Sequence, residues 1–227
     1  MKIISYNTAR VTWLFPLEEI GPLNGMNGAN LIAEISRRYE FKNIPTLTTP
    51  EEMQKNGVKF GLGNFKADER IQVITELSVY SDGIVAVTER TEAGRLFLID
   101  LLDWLRREFE FREFSSEVKE LFLSEVTVEF DRAPLSRLLS SFEVITNIVS
   151  GYASPIIRTK DTMGLARIDL EFDRASPYVK QAAPRFVIER RLNVPFEQER
   201  YFCSAPMHTM EHIESLIQIE TLAVASD

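Results

Sequence analysis

VKFGLGNFKADERIQVITELSVYSDGIVAV, residues 58–87, is where the period of the chain changes to two. Val58, Phe60 and Leu62 alternate with small or polar residues, and Ile71, Val73, Thr75, Leu77 and Val79 do so again. Ser81-Asp82-Gly83 then turns the chain into Ile84-Val85-Ala86-Val87. Alternation sends successive side chains to opposite sheet faces, and Ser-Asp-Gly is turn chemistry, so the stretch predicts antiparallel strands joined by a tight turn. Gly61-Leu62-Gly63 reads as a bulge or a close backbone approach. It is no dinucleotide fingerprint, because neither the remaining glycine nor a helix follows.

Outward from this stretch the pattern switches between helix and strand. Thr91 to Phe109 predicts a helix, with Phe97, Leu98, Leu101, Trp104 and Leu105 on one stripe and Arg95, Asp100, Asp103, Arg106 and Arg107 covering most of the rest. Leu121 to Phe130 predicts a strand. Pro134 to Ser150 predicts a helix that stops at Gly151. Further strands are expected over 164–172, 185–192 and 200–204, with turns at Ser176-Pro177 and Val194-Pro195, and a last helix over 209–222. Upstream, Asn27 caps a helix of about 28–39, and Thr49-Pro50-Glu51-Glu52 starts a short helix that ends at Gly57. The strands mostly alternate and their connections are short, which predicts an α+β fold, a mostly antiparallel sheet with helices packed on one face.

Residues 1–27 hold Pro16, Pro22, Gly21 and Gly25 around an apolar group, and are expected to form an irregular apolar N-terminal arm; residues 28–227 are expected to form a single α+β domain. Trp13, Leu14, Phe15 and Leu17 crowd that arm, and Phe111 and Phe114 follow the long helix in a Phe-Glu-Phe-Arg-Glu-Phe run. Large aromatics either complete a core or anchor a partner. These six residues are the candidates for an interface with a protein partner, either the chain itself or a heterologous subunit.

The length of 227 residues, with 44% hydrophobic and 26% charged residues, is that of a globular chain with a real core. The formal net charge of −8 sets the body against phosphate backbones. Basic residues are relatively richest in the first 70 residues, where Arg37, Arg38, Lys42, Lys55, Lys59 and Lys66 are the places an anion would favour. One cysteine, Cys203, allows no intramolecular disulfide, which points to the cytoplasm. The charge-free stretch Val144 to Ile157 is broken by Gly151 and Pro155 and is too short to span a bilayer, so no membrane role is expected.

Two short segments echo each other over about seven residues. Val128-Glu129-Phe130-Asp131-Arg132-Ala133-Pro134 returns as Leu170-Glu171-Phe172-Asp173-Arg174-Ala175-Ser176-Pro177, and both serve here as strand-end markers. Neither a phosphate-binding loop nor a G-x-S-x-G nucleophile turn occurs. Asp103 with Glu117 and Lys119 would hold a metal only if the fold brought them together.

The only cysteine and the only two histidines, Cys203, His208 and His212, fall within ten residues. His208 and His212 at i and i+4 share a helix face, the spacing of helical zinc ligands. His208-Thr209-Met210-Glu211-His212 is similar to the H-x-x-E-H pattern of the inverzincin metalloproteases, in which two His bind zinc and the Glu activates water. That family takes a further acidic ligand well downstream, so here the third ligand would be Cys203 or Glu214. The sequence thus leaves two expectations: a non-enzymatic protein-binding or assembly subunit, oligomeric, with no cofactor; or a zinc-dependent hydrolase using His208, Glu211 and His212.

Overall fold

A computed structural model describes residues 1–23, 25, 27–46, 56–67, 70–131, 140–160, 163–173 and 185–225. The short helix expected at Thr49 and the turn at Ser176-Pro177 lie outside the described residues. The strands are β1 (Lys2–Leu14), β2 (Val58–Ala67), β3 (Arg70–Tyr80), β4 (Gly83–Thr88), β5 (Lys119–Glu129), β6 (Arg167–Leu170), β7 (Phe186–Arg190) and β8 (Arg200–Ala205). The helices are α1 (Leu17–Ile20), α2 (Gly28–Arg38), α3 (Thr91–Phe109), α4 (Ser140–Ile157) and α5 (Thr209–Ala225). The fold is α+β, with an eight-stranded antiparallel sheet in the order β2-β3-β4-β1-β5-β8-β7-β6.

Two compact units make up the chain. The N-terminal unit holds Tyr6–Ser124 and Pro206–Thr209; the C-terminal unit holds Met1–Ser5, Glu125–Ala205 and Met210–Asp227.

In the N-terminal unit the arm expected to be irregular begins as a long strand. Ala9 to Leu14 pairs with β4, Val11 opposite Ala86 and Trp13 opposite Ile84. Ala9, Val11 and Trp13 point inward at period two and are buried. The prolines and glycines that suggested irregularity all lie after Leu14, where they shape the turn that carries α1. Gly83 closes the β3–β4 hairpin beneath this strand, and a Cβ there would collide with the Trp13 carbonyl oxygen.

The row on β3 also differs from expectation. Ile71 and Val73 are exposed, whereas Ile74 and Leu77 are buried. The inward face changes phase between Leu77 and Ile74, and on the paired rungs of β2 between Phe60 and Phe65. Leu62, with φ 55°, sits at the switch. Its neighbours admit a close backbone approach: Gly61 exchanges hydrogen bonds with Asn43, and the Phe41 ring lies where a Cβ of Gly63 would be.

Helices α2 and α3 share the core of this unit. The Asn27 side chain accepts from the Ala29 and Asn30 amides at 3.1 and 3.2 Å, capping α2 as its sequence predicts. The Tyr39 ring meets Phe97 edge-on at 4.9 Å, and its hydroxyl donates to Asp100 at 2.7 Å. Arg38 donates to the same carboxylate at 3.0 Å, with its guanidinium 5.1 Å above the Trp104 ring. At the start of α3 the Thr91 amide donates to the Thr209 hydroxyl at 3.0 Å, and the Thr209 amide donates to the Thr91 hydroxyl at 2.8 Å. Each threonine satisfies a backbone donor of a helix start that would otherwise be orphaned.

The two groups of aromatic candidates meet inside this unit. Phe114 stands edge-on to Phe15 at 4.9 Å and to Trp13 at 6.4 Å, with Arg106 over its other side at 5.4 Å. The Arg112 side chain donates to the Gly21 and Glu18 carbonyls at 2.7 and 2.6 Å, and its amide to Ile20 at 2.8 Å. That clamp orders the irregular residues around α1.

In the C-terminal unit β7 pairs with β6 and β8, Ile188 standing opposite Ile168 and Cys203. Val126, Val128, Phe130, Ile188, Tyr201, Cys203 and Leu216 are buried. The first echo segment leaves β5 at Glu129, and the second leaves β6 at Leu170. The expected stop of α4 at Gly151 is not where the helix ends. It runs through Gly151 and Pro155 to Ile157, because an interior glycine costs only about 1 kcal/mol against alanine and does not itself terminate a helix. The end is made by Arg158, in the left-handed region at φ 61°, with the Thr159 amide returning to the Ser154 carbonyl at 3.1 Å.

Phe114→Ala is expected to lose about 2 kcal/mol of stability in a urea melt, as a half-buried aromatic leaving contacts with Trp13 and Phe15, with no change in oligomeric state. A variant of wild-type stability that dissociates would instead place Phe114 at an interface.

Candidate functional site

The Cys203, His208, Glu211 and His212 set is distributed by the fold rather than gathered. Cys203 lies on β8, fully buried, and burial pushes its thiol up to about 12. A protonated, water-excluded thiol is a poor nucleophile. His208 precedes the first residue of α5 and belongs to the N-terminal unit, where its ring is tilted against Phe122 at 3.9 Å. Its Nδ1 is buried without a hydrogen-bond partner. His212 belongs to the C-terminal unit, is fully buried, and meets the edge of Phe186 at 5.8 Å. Glu211 is exposed. Among the described residues no group of three or more His, Cys, Asp or Glu is placed to hold a metal ion. The i and i+4 spacing does not amount to a shared helix face, since His208 stands outside the helix proper.

Other acid–base clusters are satisfied internally. Tyr201 donates to Glu199 at 2.5 Å, and Arg190 pairs with Glu199 at 3.4 Å while lying 5.1 Å over the Tyr201 ring. Burial and the neighbouring carboxylate push the Tyr201 phenol well up, so it stays protonated. Asp103 pairs with Arg106 at 3.0 Å, and Glu117 and Lys119 are exposed. A groove along α2, about 520 Å³ and open to solvent, carries Ser36 and Arg37 as its polar groups. Ser36 donates to the Ile32 carbonyl at 2.7 Å and Arg37 to Glu34 at 2.5 Å, so neither is directed at a ligand.

The basic residues of the first third are likewise engaged or dispersed. Arg37 and Arg38 are paired with Glu34 and Asp100, Lys42, Lys59 and Lys66 are exposed, and Lys55 lies outside the described residues. Of the aromatic and apolar candidates, Trp13, Phe15 and Phe111 are buried, and Leu14, Leu17 and Phe114 are half-buried. Much of their apolar surface is used within the N-terminal unit.

Helix α4 presents a further apolar surface to solvent. Helix α4 is inverted relative to an ordinary surface helix, whose apolar stripe faces the core. Its inward residues are small or hydroxylated: Ser150 is buried and Thr146, Ala153 and Ser154 are half-buried. The Ser150 hydroxyl donates to the Thr146 carbonyl at 2.6 Å and accepts from the Met163 amide at 2.7 Å. Its outward residues are Phe142, Val144, Ile145, Ile148, Val149, Tyr152, Ile156 and Ile157, between 43% and 82% exposed. At about 100 Å² each, these eight side chains present roughly 800–1,000 Å², beyond the ~300–600 Å² of the largest apolar patch on a typical monomer. The signal for this surface was the charge-free run Val144 to Ile157, which was weighed as a membrane span and not as an exposed face. No helix among the described residues is long and apolar enough to cross a membrane.

No protein-family profile matches the chain, and no curated protein matches it in sequence.

His212 gives this region a pH signature. Burial lowers its pKa from 6.5 to about 4. Above pH 6.5 the imidazole is neutral folded and unfolded alike; between 6.5 and 4 only the unfolded chain takes up the proton, so stability falls as the pH falls through that window. The wild type is therefore expected to lose about 3 kcal/mol more than His212→Leu between pH 7 and pH 4. Urea midpoints measured across that range check this; parallel curves for the two proteins would mean that the imidazole protonates freely in the fold.

Proposed function

We propose that the chain is a non-enzymatic subunit that works by binding protein, in an oligomer or a larger assembly within the cytoplasm. The observation that carries this reading is the outward apolar face of α4. Leaving that much apolar surface in water forgoes on the order of 20 kcal/mol of burial at about 25 cal/mol per Å². Association also costs lost translation, rotation and side-chain freedom, so only part of that sum returns as affinity. The remainder is still ample for a specific complex.

Charge agrees with a binding role: a body of net −8 does not attract nucleic acid, whereas the uncharged α4 face suits contact with protein. The cytoplasmic placement rests on a lone, buried cysteine in a chain that needs no oxidising compartment.

The reading expects the untagged chain, in a gently prepared extract of the cells that make it, to run on size exclusion at no less than twice its 26.1 kDa. Elution at the monomer mass, at the concentration at which the cell holds it, would contradict it.

A further inference from the structure

We infer that the occupant of the α4 face is α4 of a second copy, in a two-fold helix pair centred on Val149; this rests on the protein-binding reading above and deepens it. The spacing of the outward residues carries the argument. Phe142, Ile145, Val149, Tyr152 and Ile156 follow one another at intervals of three, four, three and four, and all are exposed, from 43% at Val149 to 82% at Ile156. That is the alternation of a and d positions, the seam that fits side-chain knobs of one helix into holes of another. The seam fits a helix better than a flat sheet or an extended peptide, which would call for a period of two or isolated pockets.

Area and charge then select which helix. The five seam residues offer roughly 500 Å² per copy at about 100 Å² each, and the flanking Val144, Ile148 and Ile157 bring the exposed apolar surface of α4 near the roughly 800 Å² per partner of a standard-sized interface. Each copy carries a net charge of −8, and two such bodies repel except where they meet through surface free of carboxylates. Val144 to Ile157 contains no charged residue at all. An uncharged face also offers nothing to select a partner of opposite charge, whereas in a two-fold pair one patch serves both copies, residue i contacting residue j and j contacting i. The small inward side chains belong to the same device: the Ser150 hydroxyl donates to the Thr146 backbone carbonyl within the helix, and the isoleucines are left for the partner.

Sedimentation of the purified full chain tests this. At about 20 µM the wild type is expected at twice the monomer mass, and Ile145→Glu with Tyr152→Glu at the monomer mass with an unchanged circular dichroism spectrum, since a buried unpaired carboxylate at each position opposes pairing. Tyr152→Ala, which adds no charge and empties no core position, is expected to weaken the dimer about tenfold or more. A wild type that stays monomeric up to about 200 µM, or a dimer indifferent to all three substitutions, would overturn the inference. A chain that is monomeric when pure but runs above monomer mass in the extract would overturn the second copy alone. Monomer in both would remove the binding reading with it.

Discussion

The N-terminal unit depends on the pairing of β1 with β4. Ala9, Val11 and Trp13 line the inward side of that strand, and α2 and α3 pack in the same core. Removing this strand would leave Ala86 and Ile84 with partners on β3 alone and Phe114 without the Trp13 ring it meets edge-on. The strand therefore decides what the aromatic residues do. Trp13, Phe15 and Phe111 are buried in the core, and Phe114 packs against it. The functional question moves to whichever apolar surface the two units do not consume, and α4 presents it.

An inverted helix has a clear energetic logic. On its less exposed side α4 carries hydroxyls and alanine, and the Ser150 hydroxyl satisfies both a carbonyl and an amide. Against solvent it sets isoleucine, valine and tyrosine. For an isolated chain that arrangement forgoes burial without return; for an assembling one it divides the work, with the polar side fixing the helix in place and the apolar side supplying affinity. Tyrosine at the seam is suited to this role, since it joins a large apolar body to a group that tolerates water before the partner arrives.

Much of the fold was legible because local signals and tertiary packing agreed. The α3 stripe gives Thr91 to Phe109 in both readings, Asn27 caps where a capping residue stands before a helical period, and Ser81-Asp82-Gly83 turns where turn chemistry is concentrated. What was not legible falls into three physical kinds. Strand β1 has an alternating inward row, but a cluster of prolines and glycines just beyond it dominated the reading of the first 27 residues. Helix ends at Glu40, Glu110 and Arg158 are made by left-handed residues that are not glycine, a choice that packing enforces and composition does not announce. The phase change at Leu62 exposes Ile71 and Val73, although their alternation resembles that of a buried row. The candidate site was misplaced for a related reason: nearness in sequence gathered Cys203, His208 and His212, while the fold set each among its own neighbours. The charge-free run of α4 was visible throughout, but periodicity alone does not tell an inward stripe from an outward one.

The most direct measurement of the central claim is disulfide capture at the centre of the seam. Val149→Cys, treated with diamide as oxidant at low micromolar concentration, is expected to form a covalent dimer rapidly, because a symmetric helix pair sets the two Val149 positions within the roughly 4.4–6.8 Å Cα separation of a disulfide. Cys203, buried with its thiol pushed up to about 12, stays silent in the background. Leu192→Cys, at a position 87% exposed and outside the α4 helix, measures collisional crosslinking. Capture of Val149→Cys well ahead of Leu192→Cys is the predicted result; equal, slow capture at both positions would contradict the account.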